Sequence, residues 1–231
     1  MGRIRQTSRL IRIRILNYIL ALDEFLTDLV IIIIIINSEL YCAGNNHLGG
    51  QDFNERLRAN LSAEIAAQRG GSELEDVEDI QSLRYAVEEA KLALTYNDSV
   101  VVELNWRIPP SLSARHAVSK FRHVVSRQLF EELNEDLFQK VLEPIDRVLD
   151  DAEVSAADID EIVLVGGSTR IPCIRQLISN YFGGRKPNVE IDPELAVVTG
   201  ISVQAGILGG MWPLTVSAIE MPTSASKIHL H

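Results

Sequence analysis

Ile162 to Pro172 reads IVLVGGSTRIP: a β-branched run that stops at two glycines, then Ser168, Thr169 and Arg170, then a proline suited to the first turn of a helix. Gly166 and Gly167 let the backbone come close to a ligand, because no Cβ stands in the way, and a following helix directs free N–H groups toward it. Such a turn favours a phosphate or a nucleoside. Ser168 and Thr169 add hydroxyl donors, and the flat guanidinium of Arg170 can stack on a base or fork onto an anion. The string matches neither G-x-G-x-x-G nor G-x-x-x-x-G-K-[ST], so chemistry alone leaves two readings open, a ligand contact and a plain strand-to-helix turn. Glu88 and Lys91 form a second candidate group. Three apart on a helix, they read from spacing alone as a surface ion pair worth well under about 1 kcal/mol.

The rest of the composition narrows the chemistry. With 231 residues, 46% of them hydrophobic, the chain can bury a sizeable core. Its net charge of −10 argues against a nucleic-acid binder held by phosphate contacts, which needs a basic face. Cys42 and Cys173 are too few for a disulfide framework and read as unpaired thiols. The five histidines make no H-x-x-x-H or H-E-x-x-H pair, so no metal site is expected. Residues 1–36 stand apart: five arginines without an acid among the first fourteen residues, then six isoleucines from Ile31 to Ile36. Asp23, Glu24 and Asp28 interrupt the apolar stretch, which falls short of the roughly 18–20 residues that span a bilayer, so no membrane span is expected. Leu29 to Ile36 instead fits a strand covered on both faces.

The elements that must position the two candidate groups follow from periodicity. A helix is expected from Asp52 to about Ala67, ended by Arg69-Gly70-Gly71. Leu74, Val77, Ile80, Leu83, Val87 and Leu94 mark the apolar stripe of a second helix, with Glu75, Asp76, Glu78 and Asp79 near its start as dipole partners. Strands at Ser99–Leu104 and around Phe121–Val125 make a hairpin with a long connection through Pro109-Pro110. Ser126 caps a helix whose core side reads Leu129, Leu133, Leu137, Val141, Ile145, Val148 and Leu149. A strand at Glu161–Val165, a helix from Pro172 to Phe182 ended at Gly183-Gly184, and a last helix from Asp192-Pro193 to about Leu208 complete the pattern. Trp212 reads as a packing anchor for the tail. The alternation of helices and strands gives an α/β or mixed layered fold.

Four ordered segments carry a resemblance: AGNNHLGGQDFNERL, SLRYAVEEAKLALT, IDEIVLVGGSTRIPCIRQLISNYFG and IDPELAVVTGISVQAGILGG. They resemble the 70-kDa heat-shock protein family of actin-like ATPases, over about Tyr41 to Glu220, with a weak patch between Trp106 and Lys120. The resemblance implies an α/β fold, an incomplete actin-like ATPase (ribonuclease H-like) lobe with a helical and β-hairpin subdomain. Residues 37–51 and 150–210 would form the lobe core, 52–149 the subdomain, 1–36 an atypical basic and apolar segment, and 211–231 a tail. In that family the base and ribose lie between the E-x-x-K-R helix and the GGSTR turn. Glu88 and Lys91 then match ribose contacts, and Gly166, Gly167, Ser168 and Arg170 match the turn on the other side. Leu92 stands where the family has an arginine that stacks on adenine, and Glu194 where it often has an aspartate near the base. The implied cofactor is ATP or ADP, with magnesium brought by the nucleotide.

Hydrolysis in the family depends on two phosphate loops, an aspartate-glycine-threonine signature and one shaped like D-L-G-G-G-T. Neither occurs here: residues 10–28, where the second would fall, contain no glycine. Phosphoryl transfer is mostly positioning and charge neutralisation, so the expectation is nucleotide binding at best, without turnover. The partners implied are an adenine nucleotide and possible protein partners. The alternatives are a non-enzymatic interaction platform and a truncated product without function. The resemblance further implies a microsomal or endoplasmic-reticulum location, cytoplasmic if no signal peptide is present. Two glycosylation sequons, Asn60-Leu61-Ser62 and Asn97-Asp98-Ser99, are usable only in the secretory lumen.

Overall fold

The computed structural model describes residues 32–36, 39–45, 48–107, 118–159, 162–188, 192–195, 198–199, 201–202 and 205–206. The expectations for residues 1–31 and for Trp212 lie outside them. The chain divides into two compact units, Gly50–Phe138 and a second made of Met1–Gly49 with Gln139–His231. Each is described by itself.

The Gly50–Phe138 unit opens with α1 (Gly50–Gln68), where Phe53, Leu57, Leu61 and Ile65 recur every four residues and are wholly buried. A fully buried side chain of this size contributes about 1.5–3 kcal/mol, so this one stripe explains why the segment is a docked helix. The helix stops where expected: Gly70 and Gly71 take positive φ, and the Gly71 N–H returns to the Ala66 carbonyl at 2.8 Å. Next, α2 (Val77–Leu94) is capped by Asp76, whose carboxylate accepts from Glu78 N at 2.8 Å and Asp79 N at 3.4 Å. Leu83, Val87, Ala90 and Leu94 are its buried face. Val77, expected on that stripe, is 79% exposed, because it occupies the first helical position beside the cap, before the helix reaches the core.

Strands β3 (Ser99–Arg107) and β4 (Val118–Ser126) pair antiparallel, with Val102 opposite His123 and Leu104 opposite Phe121. Both are longer than expected. Val102, Leu104, Trp106, Phe121 and Val125 form the inner face, on which α2 packs, while Glu103 bridges Lys120 and Arg122 on the outer one. Ser126 caps α3 (Arg127–Leu133) through Leu129 N at 3.1 Å, as expected. The single long helix expected from there is instead three pieces: α3, α4 (Glu135–Gln139) and α5 (Leu142–Asp151). Asn134 causes the first break. Its side chain is fully buried and donates to the Phe130 carbonyl at 2.9 Å, and its backbone leaves the helical region at φ −115, ψ 7. The break also redirects the core, since Phe130, Leu137 and Phe138 are buried while Leu129 and Leu133 are only half-buried.

In the other unit, β1 (Ile32–Ile36) pairs antiparallel with β2 (Glu39–Ala43), so the described part of the isoleucine run is a strand, and α5 packs against the pair. Ile162 to Val165 are all buried. Val163 makes a parallel bridge with Asn188, supported by Asn188 N to the Ile162 carbonyl at 2.7 Å, and Val165 is a bridge residue as well. After the turn, α6 (Pro172–Tyr181) starts at its proline and buries Ile174 and Ile178. It ends at Gly183 and Gly184, both at positive φ. The fold is mixed α/β, and both two-stranded sheets are antiparallel. No described helix is long and apolar enough to cross a membrane.

Candidate functional site

The GGSTR segment is a single turn of 3₁₀ helix, Gly167–Arg170, set between the buried run Ile162–Val165 and α6. Gly166 makes the entry possible. Its φ of 94 and ψ of 147 lie in a region essentially closed to side-chain-bearing residues, and it is the residue where the chain leaves the core. Both of its backbone groups are held: its N–H donates to the Pro193 carbonyl at 3.0 Å, and its carbonyl accepts the Thr169 hydroxyl at 2.7 Å. Thr169, read from sequence as one of two added hydroxyl donors, is wholly buried and its hydroxyl bonds within the turn itself. From the other side, Arg175 Nε of α6 donates to the Thr169 carbonyl at 2.7 Å. Gly167 is exposed, and Ser168 half so.

Arg170 is the charged group of this turn. Its Nη2 reaches Asp192 Oδ1 at 2.7 Å and Glu194 Oε2 at 3.0 Å, which fixes the plane of the guanidinium. The hydrogen bond to Asp192 is the main cause that raises the arginine above its ordinary range. Asp192 is held below the usual carboxylate range, first by the Glu194 N–H at 3.0 Å and then by Arg170. The segment Asp192–Leu195 is a turn, closed by Leu195 N on the Asp192 carbonyl at 3.1 Å, where a helix start was expected. Helical residues follow only from 198 among those described. Glu194, expected near the base, stands beside Gly167: a Cβ on that glycine would lie 3.4 Å from Glu194 Oε1. Arg170 Nε is buried and has no hydrogen-bond partner among the described residues. An arginine held edge-on by two acids, next to a bare glycine backbone, can offer its face to a flat ring.

In the Gly50–Phe138 unit, Glu88 and Lys91 are joined at 2.9 Å, and this is more than a surface pair. The Lys91 side chain is 12% exposed and the Glu88 side chain 40%. Lys91 Nζ also donates to the Gly50 carbonyl at 3.4 Å, and Glu88 Oε2 accepts from Asn54 of α1. The first turns of α1 thus hold the pair from below. Leu92 is 55% exposed on the neighbouring turn of α2. Asn54 and Asp192 have no place among the residues expected from sequence, because their roles depend on partners 34 and 22 positions away.

The chain matches the family model for the Hsp70 protein over residues 39–221. Heat shock 70 kDa protein 13 of Bos taurus and of Homo sapiens are each 45% identical to it over 215 residues, which cover 78% of this chain and 45% of theirs. Heat shock 70 kDa protein BIP3 of Oryza sativa subsp. japonica is 43% identical over 167 residues, covering 72% of this chain and 24% of its own. The chain therefore spans less than half the length of these relatives. On the family match and these identities together, the chain belongs to the Hsp70 protein family.

Proposed function

We propose that this chain binds the nucleoside end of an adenine nucleotide, ADP or ATP with its magnesium, and does not hydrolyse it. The observation that carries the reading is the Arg170 arrangement: a guanidinium fixed by Asp192 and Glu194 beside the exposed backbone of Gly167, with Nε left without a partner among the described residues. In this role Arg170 supplies a face for the base, Gly166, Gly167 and Ser168 supply close backbone and hydroxyl contacts, and Glu194 limits the approach beside Gly167. The family resemblance alone assigns ribose contacts to Glu88 and Lys91, which belong to the other unit. The 231 residues contain neither phosphate loop, so no group here neutralises the charge that phosphoryl transfer develops. Residence in the endoplasmic reticulum belongs to the same proposal and rests on the resemblance.

Titration calorimetry with ADP tests it. At about 100 µM protein, micromolar binding gives measurable heat. Arg170→Ala is expected to weaken ADP by about tenfold, the loss of one interaction worth about 1.4 kcal/mol. No heat with the folded chain, or an affinity unchanged by Arg170→Ala, overturns the binding reading, and steady ATP turnover overturns the claim of no hydrolysis. A second reading, a surface for another protein, is favoured by Tyr85 and Leu92, which lie exposed on the side of α2 opposite its buried face, and by Tyr96, exposed in the turn that follows. It requires partner capture that is indifferent to nucleotide.

A further inference from the structure

We infer that Asn97 is an acceptor for an N-linked glycan when this chain enters the secretory lumen, and that Asn60 is not. Both begin an Asn-x-Ser triplet, and the fold separates them. A usable triplet belongs on a surface loop, because a bulky, solvated sugar must leave the protein without displacing packed groups.

Asn97, Asp98 and Ser99 are all exposed, the first two in the turn that joins α2 to β3 and Ser99 as the first residue of β3, at its end opposite Ser126. Other groups hold that turn, so it keeps its shape without the Asn97 side chain. Arg127 Nε donates to the Leu94 carbonyl at 2.8 Å, its Nη1 binds Asp98 Oδ1 at 2.8 Å, and its backbone N–H donates to the Asp98 carbonyl at 2.8 Å. Asn97 N itself donates to the Ala93 carbonyl at 2.9 Å. The Asn97 side chain donates from Nδ2 to the Ala93 carbonyl at 3.0 Å. An asparagine amide has two N–H donors, and glycosylation uses one, so the other remains for Ala93.

Asn60-Leu61-Ser62 sits in the middle of α1, with Leu61 wholly buried and Asn60 and Ser62 half-buried. A transferase must take the triplet out of its helix, and a sugar on Asn60 must then share the helix flank with packed neighbours. The two sites also differ in their cost to folding. At Asn97 the sugar points into water, whereas at Asn60 it competes with the docking of the Phe53–Ile65 stripe.

In the transfer, the Asn97 amide nitrogen attacks the anomeric carbon of an oligosaccharide carried on a polyprenyl diphosphate. The N–C bond forms, the C–O bond to the diphosphate breaks, the polyprenyl diphosphate leaves, and one amide proton passes to solvent. None of the triplet's residues belongs to the nucleotide contacts, so this inference and the nucleotide reading fail separately.

The test expresses the full chain behind an added cleavable signal peptide in cells or with microsomes, and establishes entry by protection from added protease. The protected wild-type chain is expected to run as one heavier species that peptide-N-glycosidase converts to the unmodified size. Asn97→Gln and, independently, Ser99→Ala abolish the shift, and Asn60→Gln leaves it. Asn97 and Ser99 are both exposed, so either substitution leaves the packed core intact and the folded chain still reports. A protected chain without a shift, a shift that survives Asn97→Gln, or one removed by Asn60→Gln overturns the inference.

Discussion

Replacing Gly166 by alanine tests the claim that the GGSTR turn is held in a conformation only glycine adopts. At φ 94 and ψ 147 a Cβ incurs backbone strain of about 1–3 kcal/mol. Alanine restricts the unfolded chain and returns about 0.4–1 kcal/mol of that. Gly183 is the matched control in the same unit: at φ +67 it lies in the left-handed helical region, where strain is about 1–2 kcal/mol, and its Cβ meets nothing within 4 Å. Gly183 donates its N–H to the Asn180 carbonyl at 3.0 Å but is exposed past the end of α6 and can shift a little, whereas the N–H and carbonyl of the half-buried Gly166 are both tied, to Pro193 and Thr169. Gly166→Ala is therefore expected to cost about 1 kcal/mol more than Gly183→Ala, roughly a fivefold difference in folding equilibrium. With a urea dependence of about 1–3 kcal/mol per molar, the two midpoints should differ by about 0.3–1 M, read by far-ultraviolet circular dichroism. ADP affinity should fall in Gly166→Ala and not in Gly183→Ala. Equal midpoints, or a larger loss at Gly183, would refute the assignment of strain to the turn.

Two further outcomes follow from single groups. Asp76→Ala removes the cap of α2 and is expected to cost about 1 kcal/mol, with faster hydrogen exchange at the Glu78 and Asp79 amides; unchanged exchange there would show that the cap is dispensable. Tyr181 is pushed up to about 12 by burial and by its hydrogen bond to Asp146, from an ordinary value of 10.0. Because the folded state holds the phenol proton more tightly, its contribution is complete below pH 10 and is lost as pH rises from there through about 12. Tyr181→Phe should flatten that part of an alkaline stability profile, and a tyrosinate absorbance change near pH 10 from this residue would contradict the geometry.

What was legible in the sequence divides by distance along the chain. Stripes, caps and stops depend on neighbours within a turn or two, so α1, α2, the Ser126 cap, the Pro172 start and the glycine stops could be read directly. The hairpin was legible for the same reason, although its strands run further than their β-branched cores because pairing continues to Arg107 and Val118. Asn134 escaped notice because nothing in an apolar 3.6-residue period says that one polar residue inside it will be buried and turn back to Phe130. The strand expected before the GGSTR turn could be read only in part. Its residues are buried as foreseen, but its pairing depends on Asn188, beyond α6, and pattern alone cannot say how much ladder forms.

The site residues show where composition misleads as well as where it is silent. Thr169 and Ser168 are adjacent hydroxyls in one turn, and sequence gives no reason to separate them. The structure buries Thr169 on the Gly166 carbonyl and leaves Ser168 at the surface, so one maintains the shape that the other can use. The same division of labour appears around the charges. Arg170 depends on Asp192, which depends in turn on the Glu194 amide, while the Glu88–Lys91 pair depends on Asn54 and Gly50. A fixed charge loses less conformational freedom on meeting a ligand than a free one, so under the proposed nucleotide reading these supporting contacts would raise affinity without touching the ligand. Asp192→Asn is consequently the sharper substitution at this turn: it keeps side-chain size and an acceptor oxygen, removes one charge from the pair that orients Arg170, and leaves Arg170 itself in place.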